Sequence, residues 1–190
     1  MRHRGLAAFL LVLSTTGCGY NTIQDYDERA AAAKQQIEVQ LQRRADLIPN
    51  LVETVKGFAA QEERVLTEVT QARAGLQGAI QRGDPTEMAN ANEALTGALG
   101  RLMVTVEAYP NLKSDQNFLR LQDELTGTEN RIATSRTDYN DTVRAYNTYI
   151  RKFPAVLTAK VTGAKERPYF EVTNAANREA PKVDFGAPKS

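Results

Sequence analysis

The sequence has almost none of the side chains on which most enzyme active sites depend. After residue 17 it contains no histidine, no tryptophan and no cysteine other than Cys18, and its only serines are Ser114, Ser135 and Ser190. A Ser-His-Asp triad and a zinc site built on histidine and cysteine are therefore excluded from that part of the chain. A phosphate loop is missing as well, since no G-K-[ST] motif is present. These absences predict a protein that is not an enzyme and holds no cofactor or metal.

The single cysteine follows a leader that has the three parts of a secretory signal. A basic start, MRHR, precedes a nine-residue apolar run from Gly5 to Leu13 and the small polar residues before Cys18. A membrane span needs roughly 20 apolar residues, so this run is too short to be one. We therefore predict that residues 1–17 are a signal peptide. The alternative is a signal anchor that stays uncleaved.

Cys18 itself is the predicted lipidation site. Small residues directly before a cysteine resemble the lipobox of bacterial lipoproteins, although Thr15 stands where leucine is usual. Several acyl chains on this residue would anchor the protein stably to membrane lipid, with residues 18–22 as anchor and short linker. Gly19, rather than aspartate, follows the cysteine, as in lipoproteins sorted to the outer membrane. The expected location is the periplasmic side of a membrane, the outer membrane being favoured, or the cell exterior.

The charge balance excludes one class of partner. The formal net charge is +1, and removal of residues 1–17 leaves 22 basic against 23 acidic residues. Proteins that bind nucleic acid through its phosphates usually carry a strong basic excess. No nucleic-acid partner is expected.

Apolar residues from Ile23 to Ile80 recur at gaps of three and four, which predicts one long helix. Only Pro49 interrupts the pattern. A proline inside a helix removes one hydrogen bond, so we expect a kink near Pro49 and not a break. Gly83-Asp84-Pro85 then ends this helix.

Further apolar stripes predict a second helix over residues 86–108 and a third over residues 115–153, for which Ser114 is the expected cap. The predicted fold class is all-α, an elongated antiparallel bundle of three to four long helices that occupies residues 23–163. Residues 164–190 are expected to form an extended segment, with PYFEV packed back on the bundle, and then a flexible polar tail.

Three stretches, in this order, resemble the LemA family: QIEVQLQRRADLIPNLVETVKGFAAQE (36–62), YPNLKSDQNFLRLQDELTGTENRI (109–132) and YNDTVRAYNTYIRKFP (139–154). The likeness extends from about Tyr20 to Val172. This resemblance implies an all-α bundle of long antiparallel helices held at a bacterial membrane, and a protein of no agreed biochemical activity. Relatives usually carry an N-terminal transmembrane anchor, whereas this leader resembles that of a lipoprotein. One branch, in magnetic bacteria, is associated with the formation of membrane organelles.

The candidate partner-binding residues surround the proline of RRADLIPN. They are Arg43, Arg44, Asp46 and Asn50. The kink at Pro49 would free a backbone carbonyl and present these polar groups to a partner. The alternative is that they form salt bridges to a neighbouring helix and solvate one face of the bundle.

Two YN pairs lie seven residues apart in the third helix. Tyr139, Tyr146 and Phe153 form an aromatic stripe, which at this spacing is typical of a core. Asn140 and Asn147 would then hydrogen-bond across the bundle and fix its register. Glycines inside the helical patterns are expected to allow close helix packing, the alternative being a bundle that opens; they are Gly57, Gly97, Gly100 and Gly127.

The function expected from these features is that of a non-enzymatic adaptor, anchored by lipid and bound to a protein partner in the envelope. A homo-oligomer that shapes the membrane by self-assembly is one alternative. The other is a hydrolase that uses carboxylates alone. Its candidate acids are Asp46, Glu53, Glu62, Glu63, Glu68, Glu124 and Glu129.

Overall fold

The described part of the chain contains six helices. The computed structural model describes the backbone of residues 2–173 and the side chains of residues 19–173. No β-strand occurs in that range, and the predicted all-α class is confirmed. None of the helices found there is both long enough and apolar enough to cross a membrane. The helices are α1 (Arg2–Lys56), α2 (Glu63–Arg82), α3 (Pro85–Val106), α4 (Pro110–Lys113), α5 (Gln116–Arg151) and α6 (Ala155–Thr162).

The predicted single helix from Ile23 to Ile80 is wrong, because the chain reverses between α1 and α2. α1 ends just before Gly57, a poor helix former, and the N–H of Phe58 donates to Val55 O at 3.0 Å in a tightened last turn. Val55 and Ala59 are both buried on either side of this glycine. The apolar spacing therefore continues across a turn at which the helix itself stops, so that spacing alone did not reveal the reversal.

The long helices run antiparallel to their neighbours. Tyr26 of α1 packs against Tyr149 of α5, with ring centroids 5.2 Å apart. Farther along the same two helices, Arg131 Nε donates to Gln40 Oε1 at 3.2 Å. Rising residue numbers in α1 thus meet falling numbers in α5, which is the geometry of an antiparallel pair.

α1 supplies the longest buried stripe of the core, and α2, α5 and α6 all pack against it. Complete burial of one leucine or isoleucine side chain stabilises a fold by about 1.5–3 kcal/mol, so this stripe contributes much of the bundle's stability. A smaller apolar cluster closes the end of the bundle where the side chains of α1 are first described; it consists of Ile23, Tyr146, Ile150 and Ala159.

The aromatic stripe is confirmed at Tyr139 and Tyr146, which are buried, but it is wrong at Phe153, which is 81% exposed. α5 ends at Arg151, and Lys152 has an extended backbone. The helical register that would have carried Phe153 to the core is therefore lost two residues before it.

Two further local predictions are wrong. Ser114 does not cap α5; the cap is Asp115, whose side chain accepts from the N–H groups of residues 117 and 118. Ser114 Oγ instead donates to Pro110 O at 3.0 Å. The helical glycines are not sites of close helix packing: Gly97 and Gly100 are exposed, and a Cβ added at Gly100 would meet no atom within 4 Å.

A ladder of asparagine side chains holds the backbone of residues 164–173, which have no regular secondary structure. Asn147 of α5 donates to Arg167 O at 3.0 Å and accepts from the Arg167 N–H at 2.9 Å. Asn140 makes the same pair of bonds with Phe170, at 3.3 and 2.8 Å. Their spacing predicted hydrogen bonds across the bundle to another helix, and that prediction is wrong. The two amides bind the main chain of an extended segment instead.

Three other contacts hold this segment. Phe170 is buried in the main core. Arg167 Nε donates to Asp27 Oδ1 at 2.7 Å, and this hydrogen bond raises the pKa of Arg167. Asn90 of α3 accepts from the Thr173 N–H at 3.1 Å. The segment therefore joins α1, α3 and α5.

The asparagine ladder predicts the effect of removing one of its amides. Asn147→Ala leaves the partly buried N–H and C=O of Arg167 without their partner, which should lower the free energy of unfolding by about 1–3 kcal/mol. Hydrogen exchange should show faster opening of residues 164–173 than of the long helices, because the lost bonds serve that segment.

Asn130→Ala is the matched control. Asn130 lies exposed on the same helix, and its substitution should change stability by no more than about 0.5 kcal/mol. Equal effects of the two substitutions would show that the ladder does not hold the segment.

The burial of Tyr139 predicts that its contribution to the stability of the fold depends on pH. Its hydroxyl donates to Pro168 O at 2.8 Å, and burial raises its pKa to about 12. A tyrosine whose pKa is higher in the folded than in the unfolded chain stabilises the fold fully below the unfolded pKa of about 10, and this contribution is lost as the pH rises towards 12.

Tyr139→Phe should therefore be less stable than the parent by about 1 kcal/mol near neutral pH, through loss of the hydrogen bond. The difference should shrink as the pH rises from about 10 to about 12. Urea unfolding at a series of alkaline pH values measures it, with the exposed Tyr20→Phe as control. If the difference in free energy of unfolding between the parent and Tyr139→Phe stays constant from about pH 10 to about pH 12, the raised pKa of Tyr139 is wrong.

Candidate functional site

The four candidate residues around Pro49 lie in two different environments. Arg43, Asp46 and Asn50 are exposed and, at intervals of three and four residues, share one face of α1. Arg44 faces the interior and is only 4% exposed. The structure therefore brings three of these residues together on the surface and separates the fourth from them.

An open groove lies beside the exposed face, between α1 and α2. It has a volume of about 510 Å³. Its apolar lining consists of Val39, Leu47 and Ile80, of which Val39 is 58% exposed. Arg43 and Asp46 also line it. Gln42 Nε2 donates a hydrogen bond to Asp46 Oδ1 at 2.8 Å. The groove thus combines an exposed apolar side chain with both signs of charge.

The carbonyl that Pro49 frees is used inside the protein. α1 continues through the proline without a break, and the missing N–H would have bonded to Ala45 O. Arg73 Nε of α2 donates to this oxygen at 2.8 Å. The carbonyl is therefore satisfied by the neighbouring helix. The position of Pro49 in the sequence shows that Ala45 O lacks its helical hydrogen bond. Nothing in the sequence shows that Arg73 would donate to this oxygen instead.

Arg44 joins three helices in the interior. One guanidinium nitrogen donates to Asn92 Oδ1 of α3 at 2.5 Å and forms an ion pair with Glu129 of α5. Burial lowers the pKa of Arg44, while the charges of Glu129 and Glu93 oppose that change. These partners therefore offset the cost of burying the guanidinium charge in the core.

A cavity of about 300 Å³ adjoins this ion pair, between α3 and α5. Leu99, Met103 and Leu125 form most of its apolar wall. Three buried side-chain polar atoms in the described structure have no hydrogen-bond partner: Arg44 Nε, Thr96 Oγ1 and Glu129 Oε2, of which the last is ion-paired with Arg44. Such atoms in a roomy polar site are typically hydrated.

The carboxylates proposed for an enzyme are dispersed over separate partners. Glu53 lies 3.4 Å from Lys56 Nζ, and Glu62 accepts from the Tyr109 hydroxyl at 2.7 Å. Glu68 is hydrogen-bonded by arginines of α2 and α3, chiefly Arg101, which lowers its pKa. A carboxylate held ionised in this way is poorly suited to act as a general acid. Over the described residues, no three histidine, cysteine or acidic side chains form a group that could hold a metal ion.

The contrast between Arg43 and Arg44 gives a direct test of the two environments. Arg44→Met keeps an unbranched apolar side chain but removes the donor to Asn92 and the counter-charge of Glu129. We expect it to lower the free energy of unfolding by about 2 kcal/mol. Arg43→Met, at the exposed neighbouring position, should change it by less than about 0.5 kcal/mol.

Chemical denaturation of the two variants measures the difference. A similar loss at both positions would place Arg43 in a structural role as well, and no loss at Arg44 would show that its buried bonds contribute nothing to stability.

Comparison with known proteins identifies a family and several relatives. The LemA family model matches residues 33–185. Two magnetosome proteins of Paramagnetospirillum magneticum, MamQ 1 and MamQ 2, are each 33% identical over 175 residues, and the match covers 80% of this chain and 64% of theirs. The chain thus spans slightly less than two thirds of the length of those two relatives.

Two other relatives come from different bacteria. The magnetosome protein MamQ of Magnetospirillum gryphiswaldense is 32% identical over 190 residues, which cover 87% of this chain and 68% of that protein. Protein LemA of Metamycoplasma hominis is 27% identical over 134 residues, covering 70% and 57% respectively. Because the family model matches most of the chain and several relatives exceed 30% identity, the chain belongs to the LemA family.

Proposed function

We propose that this protein is a membrane-anchored adaptor of the bacterial envelope, which uses its helical bundle to bind a protein partner and catalyses no reaction. Membership of the LemA family supports an envelope role, and the leader that ends at Cys18 supports a lipid anchor on that residue. The relatives named magnetosome proteins give a further reason to place its action at a membrane.

The groove between α1 and α2 is the observation that carries the adaptor role. An open groove with a mostly apolar lining and an exposed valine at its edge is the kind of surface that often binds another protein. Arg43 and Asp46 at its edge provide charges of both signs, which select a partner by complementarity more than by affinity. The occupant we propose is a protein segment with an apolar residue flanked by charges.

The dispersed carboxylates favour binding over hydrolysis. Acid–base catalysis by two carboxyl groups needs one of them to be protonated near neutral pH, usually in an apolar setting. Glu68 instead lies between two arginines that lower its pKa, and Glu129 pairs with Arg44. Glu53 and Asp46 are exposed.

Crosslinking in living cells tests this proposal. A photo-crosslinking residue at position 39 lies in the groove, and the same residue at position 104, another exposed valine, is the matched control. We expect one envelope protein to be captured from position 39 and not from position 104. Arg43→Ala with Asp46→Ala should reduce that capture several-fold, because two of the three charged groups that line the groove are lost.

Arg120→Ala with Asp123→Ala is the charge-matched control, because these exposed residues of α5 have the same spacing; it should leave the capture unchanged. Cys18→Ala should release the protein from the membrane fraction and abolish the capture. Crosslinks confined to copies of this chain would instead support self-assembly, and the adaptor proposal would be wrong. Equal capture from positions 39 and 104 would exclude the groove.

A further inference from the structure

α6 buries its small side chains and exposes its large ones. Ala155 and Ala159 are buried against the bundle, whereas Leu157 is 57% exposed and Val161 is 89% exposed. Phe153, which lies just before the helix, is 81% exposed as well. A helix that only capped the bundle would gain more by the opposite arrangement, since burial of a larger apolar side chain removes more surface from water.

The inner face of α6 is already filled, so this exposed face does not await closure onto the bundle. Ala159 packs in the small cluster with Ile23, Tyr146 and Ile150. Gly163 ends the helix in a left-handed conformation, at φ 73°, and the N–H of Ala164 donates back to Ala159 O at 3.0 Å. The helix is therefore fixed with its large apolar residues outward. We name Leu157 and Val161, together with the exposed Phe153 that precedes the helix, the outer face of α6.

The outer face lies at the end of the bundle to which the proposed anchor is attached. A Cβ added to Gly19 would lie 3.2 Å from Thr158 Oγ1, so the backbone of α1 touches α6 at this residue. Gly19 directly follows Cys18 in the sequence. Whatever holds the chain at residue 18 therefore holds α6 beside it.

The charges around the outer face have one predominant sign. Residues 151–167 contain five basic residues and one acidic residue, Glu166. Arg151 pairs with Glu166 at 3.4 Å. Lys152, Lys160 and Lys165 are exposed. Apolar side chains flanked by lysines are typical of helices that lie in the interface of an anionic bilayer.

We propose that α6 is a second membrane contact: the outer face enters the headgroup region of the bilayer, and the three lysines bind the phosphates of anionic lipids. This inference rests on the proposed membrane anchoring of the chain. A single attachment leaves a protein free to pivot, whereas a second contact beside it fixes the direction in which the bundle projects from the membrane.

A fluorescent probe of membrane depth tests the inference. The full chain, purified from bacterial membranes, is reconstituted into vesicles of phosphatidylcholine and phosphatidylglycerol, with an environment-sensitive dye on Val161→Cys. Val104→Cys is the matched control, because it replaces another strongly exposed valine, in α3. We expect lipid-bound nitroxide to quench the dye at position 161 several-fold more strongly than at position 104, and aqueous iodide to do the reverse.

Further measurements test the specificity of the labelling and the role of the three lysines. The unsubstituted chain should take up no dye, since acylation blocks Cys18. In vesicles of phosphatidylcholine alone, or after Lys152→Gln with Lys160→Gln and Lys165→Gln, nitroxide quenching at position 161 should fall. Quenching that is unchanged in both cases would overturn the role of the lysines.

The outcomes distinguish this inference from the function on which it rests. If the protein does not float with the vesicles, membrane anchoring itself is wrong. If it floats but iodide reaches positions 161 and 104 equally, only the second contact is wrong. Protection of position 161 from iodide without quenching by nitroxide lipid would assign the outer face to a protein, such as a second copy of this chain, and would also overturn the inference.

Discussion

The buried stripe of α1 is the constraint on which the rest of the structure depends. α2, α5 and α6 each cover part of it, so this one helix fixes the positions of three others. Two polar groups on α1 can be buried only because α2, α3 and α5 supply partners. Arg73 reaches the carbonyl that Pro49 leaves free, and Asn92 and Glu129 bind Arg44. The proline and the buried arginine thus add specificity to an interface whose stability is chiefly apolar.

The asparagine ladder depends on a match between two repeats. Seven residues of α-helix advance about 10.5 Å, and three residues of extended chain advance about 10 Å. Asn140 and Asn147 are seven apart, while the residues they bind, Phe170 and Arg167, are three apart. The amides can therefore pair with main-chain groups in register while the segment runs antiparallel to α5. Because each amide bonds only to backbone, the ladder itself fixes the path of the segment without using the segment's side chains.

The two proposed surfaces lie far apart along the bundle. Gly19 touches α6, whereas Arg43 lies beside the groove, and the 24 residues of α1 between them measure about 36 Å along the helix. A membrane contact at α6 would hold the groove at a distance from the lipid, where a partner can reach it. The turn between α1 and α2 lies farther still from α6. In this arrangement the bundle acts as a spacer whose length is set by α1.

The sequence by itself determined the helical class, the antiparallel bundle, the burial of Tyr139 and Tyr146 and the family, because these depend on periodic spacing and on local motifs. It could not show the reversal at Gly57, since Val55 and Ala59 keep helical spacing across the turn. Spacing places Arg44, but not Arg43, on the apolar stripe, three residues after Leu41 and four before Ile48, yet it could not show which groups on the opposite helices allow an arginine to be buried there. Only the tertiary structure decided that Arg73 would meet the proline's free carbonyl and that two asparagines would bind extended chain. The tertiary structure also decided that the largest apolar side chains of α6 would face solvent. Each of these depends on contacts between residues distant in the sequence, for which no local pattern exists.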